Sequence, residues 1–417
     1  MIFNRRGVVL DKRYIFSLKG INLEITGEYQ YLGLKLKPSG TFSLAVQELN
    51  DKATRAWYGI SNIIFKNKRM QVDRIFSFFD PLLTPVATYG SPLWLPFTIK
   101  NKNFANLTTM LDSWDNFNSE VINQKCAKMA LSVNKTTSRL AVLGELGRYP
   151  LFLSSLSQCL NYKQSLVSRK SSNKLVACAL NEMKQLNDKN IDCWLARVIK
   201  VEKVLKISKN IFYNKSSGKK FLNILKGKFD RYFLDKINEI KITGSDLKDH
   251  NKLRTYKTLK SSFTREPYVD LVRNRNQRCY LSRLRTSSHR LRVELGRHTR
   301  PITPFNDRTC LYCPTLPSSC PGPPPGQPAQ SSSGRQTNPT DDKFHFLMEC
   351  QLFKNERSIL FKRVESINTK FATLSTTEQF KTLLCPVSAV FVKLIHRFVK
   401  NMFESRDKYD EERSTQQ

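Results

Sequence analysis

The stretch Cys310-Leu-Tyr-Cys313, followed after an interruption by Asp341-Asp342-Lys343-Phe344-His345-Phe346-Leu347-Met348-Glu349-Cys350, organises the reading of this chain. Two cysteines two residues apart can hold one metal ion from a tight turn. A histidine and a cysteine about one turn apart on a following helix can complete a tetrahedron. Thiolate and imidazole together favour zinc. The expected ligands are therefore Cys310, Cys313, His345 and Cys350, with Cys320 as a rival for the fourth position. The plain alternative is a group of reduced thiols that merely share a neighbourhood; the apolar Phe344, Phe346 and Leu347 around His345 weigh against it.

The interruption, Pro314 to Thr340, holds eight of the chain's 18 prolines together with many Ser, Gln and Gly. Such a composition cannot bury a core. Lengthening a loop costs only about 0.6 kcal/mol per doubling, whereas a structural zinc site contributes on the order of 10 kcal/mol in small domains. The segment 314–340 therefore reads as a disordered insertion within one zinc module, 301–365.

Around this module lies a chain of 417 residues with 69 basic and 35 acidic side chains, a net charge of +34. That excess implies a polyanionic partner, RNA or DNA before a membrane surface, since no basic amphipathic anchor or lipidation motif stands out. Ten cysteines at irregular intervals do not form a disulfide framework in a chain of this size. No apolar signal region follows Met1, and nowhere do eighteen apolar residues run together. A reducing compartment, nucleus or cytoplasm, is expected, with no membrane partner.

Residues 1 to 40 alternate apolar and polar side chains in Met1-Ile2-Phe3, Tyr14–Ser17, Ile21–Ile25 and Tyr29–Leu36, with Lys19-Gly20 as a hairpin turn. Phe42, Val46, Leu49, Ala53, Trp57, Ile60 and Ile64 then recur at helical spacing. Helices are expected from Val72 to about Leu83, from Phe104 to Leu131, and from Pro150 through Leu166, with Tyr89-Gly-Ser-Pro-Leu-Trp94 as an aromatic-rich turn. The middle, about 165 to 250, is Lys-rich, with Trp194, Val198, Val201, Phe221, Leu225, Phe229, Phe233 and Ile237 at helical spacing. It reads as helices with one buried and one cationic face. Two more helices, carrying Ile359 to Ile367 and Val390 to Phe398, are expected to pack on the zinc module, with a frayed tail from Glu404. The fold class is mostly α with a small N-terminal antiparallel β portion, α+β.

Several stretches resemble a family. Tyr31-Leu32-Gly33, Gly40-Thr41-Phe42, Thr88-Tyr89-Gly90-Ser91-Pro92-Leu93-Trp94 and Glu145-Leu146-Gly147-Arg148-Tyr149-Pro150-Leu151 are similar to the segment after the catalytic core of reverse transcriptases from non-LTR (LINE-type) retrotransposons. The resemblance continues through Lys252-Leu253-Arg254-Thr255-Tyr256, Arg283-Leu284-Arg285, His289-Arg290-Leu291 and Gly296-Arg297 to the cysteine cluster with Phe346-Leu347 inside it. It implies the end of a polymerase palm (1–40), a helical thumb (41–165), a basic linker (166–300), the zinc module (301–365) and C-terminal helices (366–417). The middle, 165 to 250, matches least.

Polymerases of this family hold magnesium on clustered carboxylates at the tip of a strand hairpin. The chain begins after that hairpin. Its Asp341-Asp342 pair follows Asn338-Pro339-Thr340 with no apolar strand leading into it, so a carboxylate orienting His345, or a solvated acidic turn, is expected instead. No catalytic residue is nominated. The expected function is nucleic-acid binding within an RNA-directed DNA polymerase, without activity of this chain alone. Magnesium enters only if a separate polymerase fragment supplies the palm; a zinc-binding interaction protein is the rival of a different class.

Nucleic acid is expected on the arginine run Arg273, Arg275, Arg278, Arg283, Arg285, Arg290, Arg292, Arg297 and Arg300, which contains no lysine and one acid, Glu294. The planar fork of arginine holds phosphate oxygens in pairs and stacks on bases. The competing reading is a helix whose Leu281, Leu284, Leu291 and Leu295 face the core while its arginines sit in water.

Overall fold

The computed structural model describes residues 15–99, 106–114, 118–168, 173–207, 218–240, 251–313 and 338–415. It is mostly helical with a small antiparallel β portion near the N-terminus, the α+β class expected. Strands β1 (Phe16–Leu18) and β2 (Ile21–Leu23) pair antiparallel, as do β3 (Tyr29–Tyr31) and β4 (Leu34–Leu36). Both hairpins turn on two residues of positive φ, Lys19-Gly20 (50° and 82°) and Leu32-Gly33 (46° and 81°), as the twist of two-residue hairpins requires. The stretch Tyr29–Leu36, expected as one strand, folds back on itself because Leu32-Gly33 supplies that turn. The expected strand at Met1-Ile2-Phe3 lies outside the described residues.

The helices are α1 (Ser43–Lys66), α2 (Val72–Leu82), α3 (Thr84–Ala87), α4 (Ser91–Thr98), α5 (Leu107–Trp114), α6 (Asn118–Leu131), α7 (Arg139–Leu146), α8 (Leu151–Ser168), α9 (Lys174–Asp188), α10 (Trp194–Val204) and α11 (Gly218–Asn238). The second half holds α12 (Arg254–Leu259), α13 (Tyr268–Leu271), α14 (Arg275–Arg285), α15 (Arg292–Leu295), α16 (Lys354–Glu365), α17 (Thr376–Leu384) and α18 (Ala389–Thr415). Three sequence expectations change here. The aromatic stretch Tyr89–Trp94 is a turn only as far as Gly90, whose φ of 63° starts α4, with Pro92 in its first turn where no amide is needed. The tail from Glu404 is helical to Thr415, and three helices, not two, follow Cys350.

The chain divides into two compact units, each built from separate segments: Met1–Asn67, Asp73–Ala127 and Arg148–Phe233 form one; Lys68–Val72, Lys128–Gly147 and Leu234–Gln417 form the other. In the first, α1 buries Val46, Leu49, Ala53, Trp57 and Ile64, and Trp57 meets Phe65 and Phe79 edge-on. The turns around it interlock. Tyr89 lies 3.4 Å from where a Cβ on Gly33 would stand and donates to Leu32 O at 2.7 Å, while Trp94 donates to Tyr89 O at 2.7 Å. The buried Glu120 carboxylate accepts from Leu151 N at 2.9 Å, capping the start of α8. On α11, Phe221, Leu225, Phe229, Phe233 and Ile237 form one wholly buried stripe.

In the second unit α14 packs against α18, with Leu281 and Leu284 meeting a core that includes Phe391, Ile395, Val399 and Met402. A buried ionic network joins its segments. Arg285 donates to both oxygens of Glu145 at 2.8 and 3.0 Å, pairs with Glu266 at 2.8 Å and donates to Leu384 O at 3.0 Å. Tyr268 adds a 2.6 Å bond to Glu145. Burial alone would depress Arg285, but the carboxylates raise it well above its ordinary value. Removing one member of such a set leaves a buried charge uncompensated, at about 3–5 kcal/mol.

Candidate metal centre

Backbone pairing brings the two halves of the cysteine motif together. Thr309 and Thr340 form an antiparallel bridge, Cys310 N donates to Pro339 O at 2.8 Å, and Asp341 N donates to Arg308 O at 2.8 Å. The C-terminal end of the Pro-rich segment, 338–340, is thus ordered. Residues 314–337, including Cys320, lie outside the described residues.

The local helix explains the spacing of the other two ligands. Five residues of α-helix turn through about 500°, which would leave His345 and Cys350 about 140° apart. His345–Glu349 instead forms a π-turn, closed by Cys350 N donating to His345 O at 2.8 Å. The wider turn returns both side chains to one side, a geometry that recurs at functional sites.

Cys310, Cys313, His345 and Cys350 are all buried, and their ligand atoms lie within 4.8 Å of one another. Cys310 Sγ and Cys313 Sγ each stand 3.9 Å from Cys350 Sγ, and Cys313 Sγ is 3.4 Å from His345 Nε2. A tetrahedral ion about 2.3 Å from sulfur and about 2.0 Å from nitrogen requires S···S near 3.8 Å and S···N near 3.5 Å. The donors fit, so this buried Cys3His cluster could hold a metal ion. Four protein ligands leave no position for water, which makes such a site structural and not catalytic. For the side chains alone, the bond to Cys350 and burial push the Cys310 thiol up to about 12. A bound cation reverses that preference and favours thiolate.

A second set of groups surrounds the ligands. Arg406 on α18, 4% exposed, donates to Asp341 Oδ1 at 2.9 Å and Oδ2 at 3.1 Å, and the nitrogen that bonds Oδ1 also lies 3.9 Å from Cys310 Sγ. Its guanidinium lies 4.5 Å from the Tyr312 ring centre and 4.8 Å from that of Phe346. Arg357 donates to Cys350 O at 2.9 Å. His345 Nδ1 sits 3.5 Å from Glu349 Oε2, a close polar contact too long for a strong hydrogen bond.

The Asp341-Asp342 pair therefore does not orient the imidazole. Asp341 holds Arg406 and accepts from Arg292 N at 2.9 Å, while Asp342 Oδ1 accepts from His345 N at 2.9 Å. Arg406 and Arg357 went unnoticed in the sequence. The signal for Arg406 was the apolar stripe Ile395, Val399, Met402, which at helical spacing leads straight to position 406.

The nine arginines separate by environment. Arg278 and Arg285 are fully buried, which removes them from any nucleic-acid surface. Arg278 donates to Val272 O, Arg273 O and Ala130 O at 3.0 to 3.2 Å, bracing loops that side chains alone would leave open. Arg275, Arg283, Arg292 and Arg297 are half-buried; Arg273, Arg290 and Arg300 are exposed. The leucines expected at the core divide as well: Leu281, Leu284 and Leu291 are buried, but Leu295 is 50% exposed because the helix breaks after Arg285 and restarts at Arg292.

Compared with protein-family models, curated proteins and solved structures, the chain matches none. Among the described residues no single helix is long and apolar enough to cross a membrane.

Proposed function

We propose that this chain is a nucleic-acid-binding part of a retroelement-type reverse transcriptase, carrying a structural zinc in the Cys310, Cys313, His345 and Cys350 cluster. Zinc suits a closed site of three thiolates and one imidazole. The reading of the partner rests on one observation: after Arg278 and Arg285 are absorbed by the fold, Arg273, Arg290 and Arg300 still stand in solvent on a chain of net charge +34. The family is supported by the order of the resembling stretches, and by the way they bond to one another: Tyr89 OH to Leu32 O, and Arg285 to Glu145.

In this role the chain grips template RNA or target DNA in the nucleus or cytoplasm, and a separate polymerase fragment would supply magnesium-binding carboxylates. Fluorescence anisotropy with short RNA and DNA oligonucleotides tests it. If about four phosphates are engaged, log affinity falls with log salt at a slope near −3 to −4. Replacing Arg273, Arg290, Arg292 and Arg300 by Gln flattens that slope with zinc content unchanged. A chain that binds neither nucleic acid at low salt refutes the proposal.

A further inference from the structure

The acid-free stretch richest in basic residues lies away from the arginine run. From Lys203 to Phe229 there are eight lysines, at 203, 206, 209, 215, 219, 220, 226 and 228, and no Asp or Glu. Soluble surfaces ordinarily intersperse the two signs. The part of this stretch on α10 and α11 belongs to the first unit, and there the fold gathers like charges together. Lys228 and Arg231 are one turn apart on α11; Arg231 is exposed, and Lys228 is half-buried at the flank of the buried stripe from Phe221 to Phe233. Lys206, just past the end of α10, is close enough for its charge to act on Lys228, as does Arg231.

Helix geometry holds Lys206 in place. Lys206 N donates to Lys203 O at 3.0 Å and Ile207 N to Glu202 O at 3.0 Å, a closure that puts Lys206 at a φ of 49°, where glycine is the usual residue. A cation there gains from the carbonyl end of α10. Lys228 and Arg231 sit within α11 and have no such compensation. Neither forms an ion pair among the described residues, although Asp235 lies four residues beyond Arg231. The nearest acid in sequence, Asp230, is bonded to Tyr149 OH at 2.9 Å, and Lys226 lies 5.0 Å over that same Tyr149 ring. The patch therefore consists of Lys206, Lys228 and Arg231, none of them in an ion pair among the described residues, with Lys226 and the half-buried Tyr149 at its edge.

We infer that the patch formed by Lys206, Lys228 and Arg231 is a second nucleic-acid contact that holds the phosphodiester backbone without reading sequence. Charge complementarity carries the inference: two of its three cations are lysines, compact point charges that attract phosphate without the planar fork used for base recognition. It rests on the proposed nucleic-acid role and adds a site that the arginine run does not include.

The test is anisotropy of the full zinc-loaded chain with two 16-nucleotide single strands of unrelated sequence, across a salt series. Lys206→Gln, Lys228→Gln and Arg231→Gln together remove up to three contacts. The slope of log affinity on log salt becomes shallower by about 2, and affinity at 0.1 M salt falls about 100-fold, equally for both strands. The variant stays folded and zinc-loaded, since the like-charge repulsion relieved and the helix-end gain lost at Lys206 are of similar small size. A single Lys228→Glu chain gives a second reading, with a smaller loss in the same direction. An unchanged slope in a folded triple variant, from a parent that does bind, overturns the patch and leaves the proposed function standing. A parent that binds neither strand overturns both. Binding of poly-glutamate through these three side chains, with no binding of RNA or DNA, would assign the patch to an acidic protein and overturn the inference.

Discussion

Arg406→Met isolates what the C-terminal helix contributes to the metal centre. The substitution keeps an unbranched apolar stem against Phe346 and Phe353 while removing both bonds to Asp341, at 2.9 and 3.1 Å, and the contact with Cys310 Sγ. Asp341 is 1% exposed, so its carboxylate is left buried with only Arg292 N as donor. An uncompensated buried charge costs about 3–5 kcal/mol, or about 200- to 5,000-fold in the opening equilibrium of the module at 1.36 kcal/mol per tenfold. Hydrogen exchange on the zinc-loaded chain reads this locally: amides of α18 near residues 399–406 lose protection by about that factor, and a chromophoric chelator removes the metal correspondingly faster. In Arg406→Met with Asp341→Asn the charge disappears while an acceptor for Arg292 N remains, so most of the protection returns. Protection within tenfold of the parent in the single variant, or no recovery in the double, would refute this account of Arg406.

Cys350→Ser is expected to abolish the bound equivalent of zinc and Cys320→Ser to leave it intact, read by metal analysis of the purified chains. Gly147→Ala places a Cβ 2.7 Å from Arg265 N at a φ of 57°; the left-handed backbone alone costs about 1–2 kcal/mol. Gly20→Ala, at a φ of 82° with open space around it, should show only that backbone cost, and urea midpoints of the two variants compare them. Burial, aided by Lys343 and Lys252, holds His289 well below its ordinary 6.5. Above pH 6.5 it is neutral in both folded and unfolded chains and contributes nothing. Below that, the unfolded chain takes up the proton first, so stability falls by at most about 1.36 kcal/mol per pH unit until the folded group titrates. His289→Gln removes that part of the slope between pH 6.5 and 5, and an identical slope in parent and variant would refute the assignment.

Much of the molecule is legible where one periodicity acts alone. The stripe from Phe42 to Ile64 became α1, the every-fourth apolar pattern from Phe221 to Ile237 became the buried face of α11, and Lys19-Gly20 became a turn. The clustering of Cys310, Cys313, His345 and Cys350 was legible because cysteine pairs and a nearby histidine have few other uses. What escaped depends on long-range partners. Arg278 and Arg285 look no different from their exposed neighbours until Ala130 O and Glu145 arrive from the segment before residue 147. Glu404 to Thr415 is polar enough to suggest fraying, yet one inward arginine, paired with Asp341, holds its first turns in place. The His345–Cys350 spacing indicated helix, and only the hydrogen-bond pattern distinguishes the π-turn that makes it useful.

The 65 residues separating Asp341 from Arg406 also set an order in time. All four ligands are synthesised by Cys350, so a growing chain can capture metal while α18 is still unmade. Until residue 406 joins them, Asp341 carries a charge without its partner, and an ion captured by then would sit in a module able to open. A metal ion taken up by this cluster would therefore be secured in two stages, loading first and locking later. A nascent or cleaved chain ending between 350 and 406 would hold such an ion without that lock, and would yield it to chelators sooner than the whole chain.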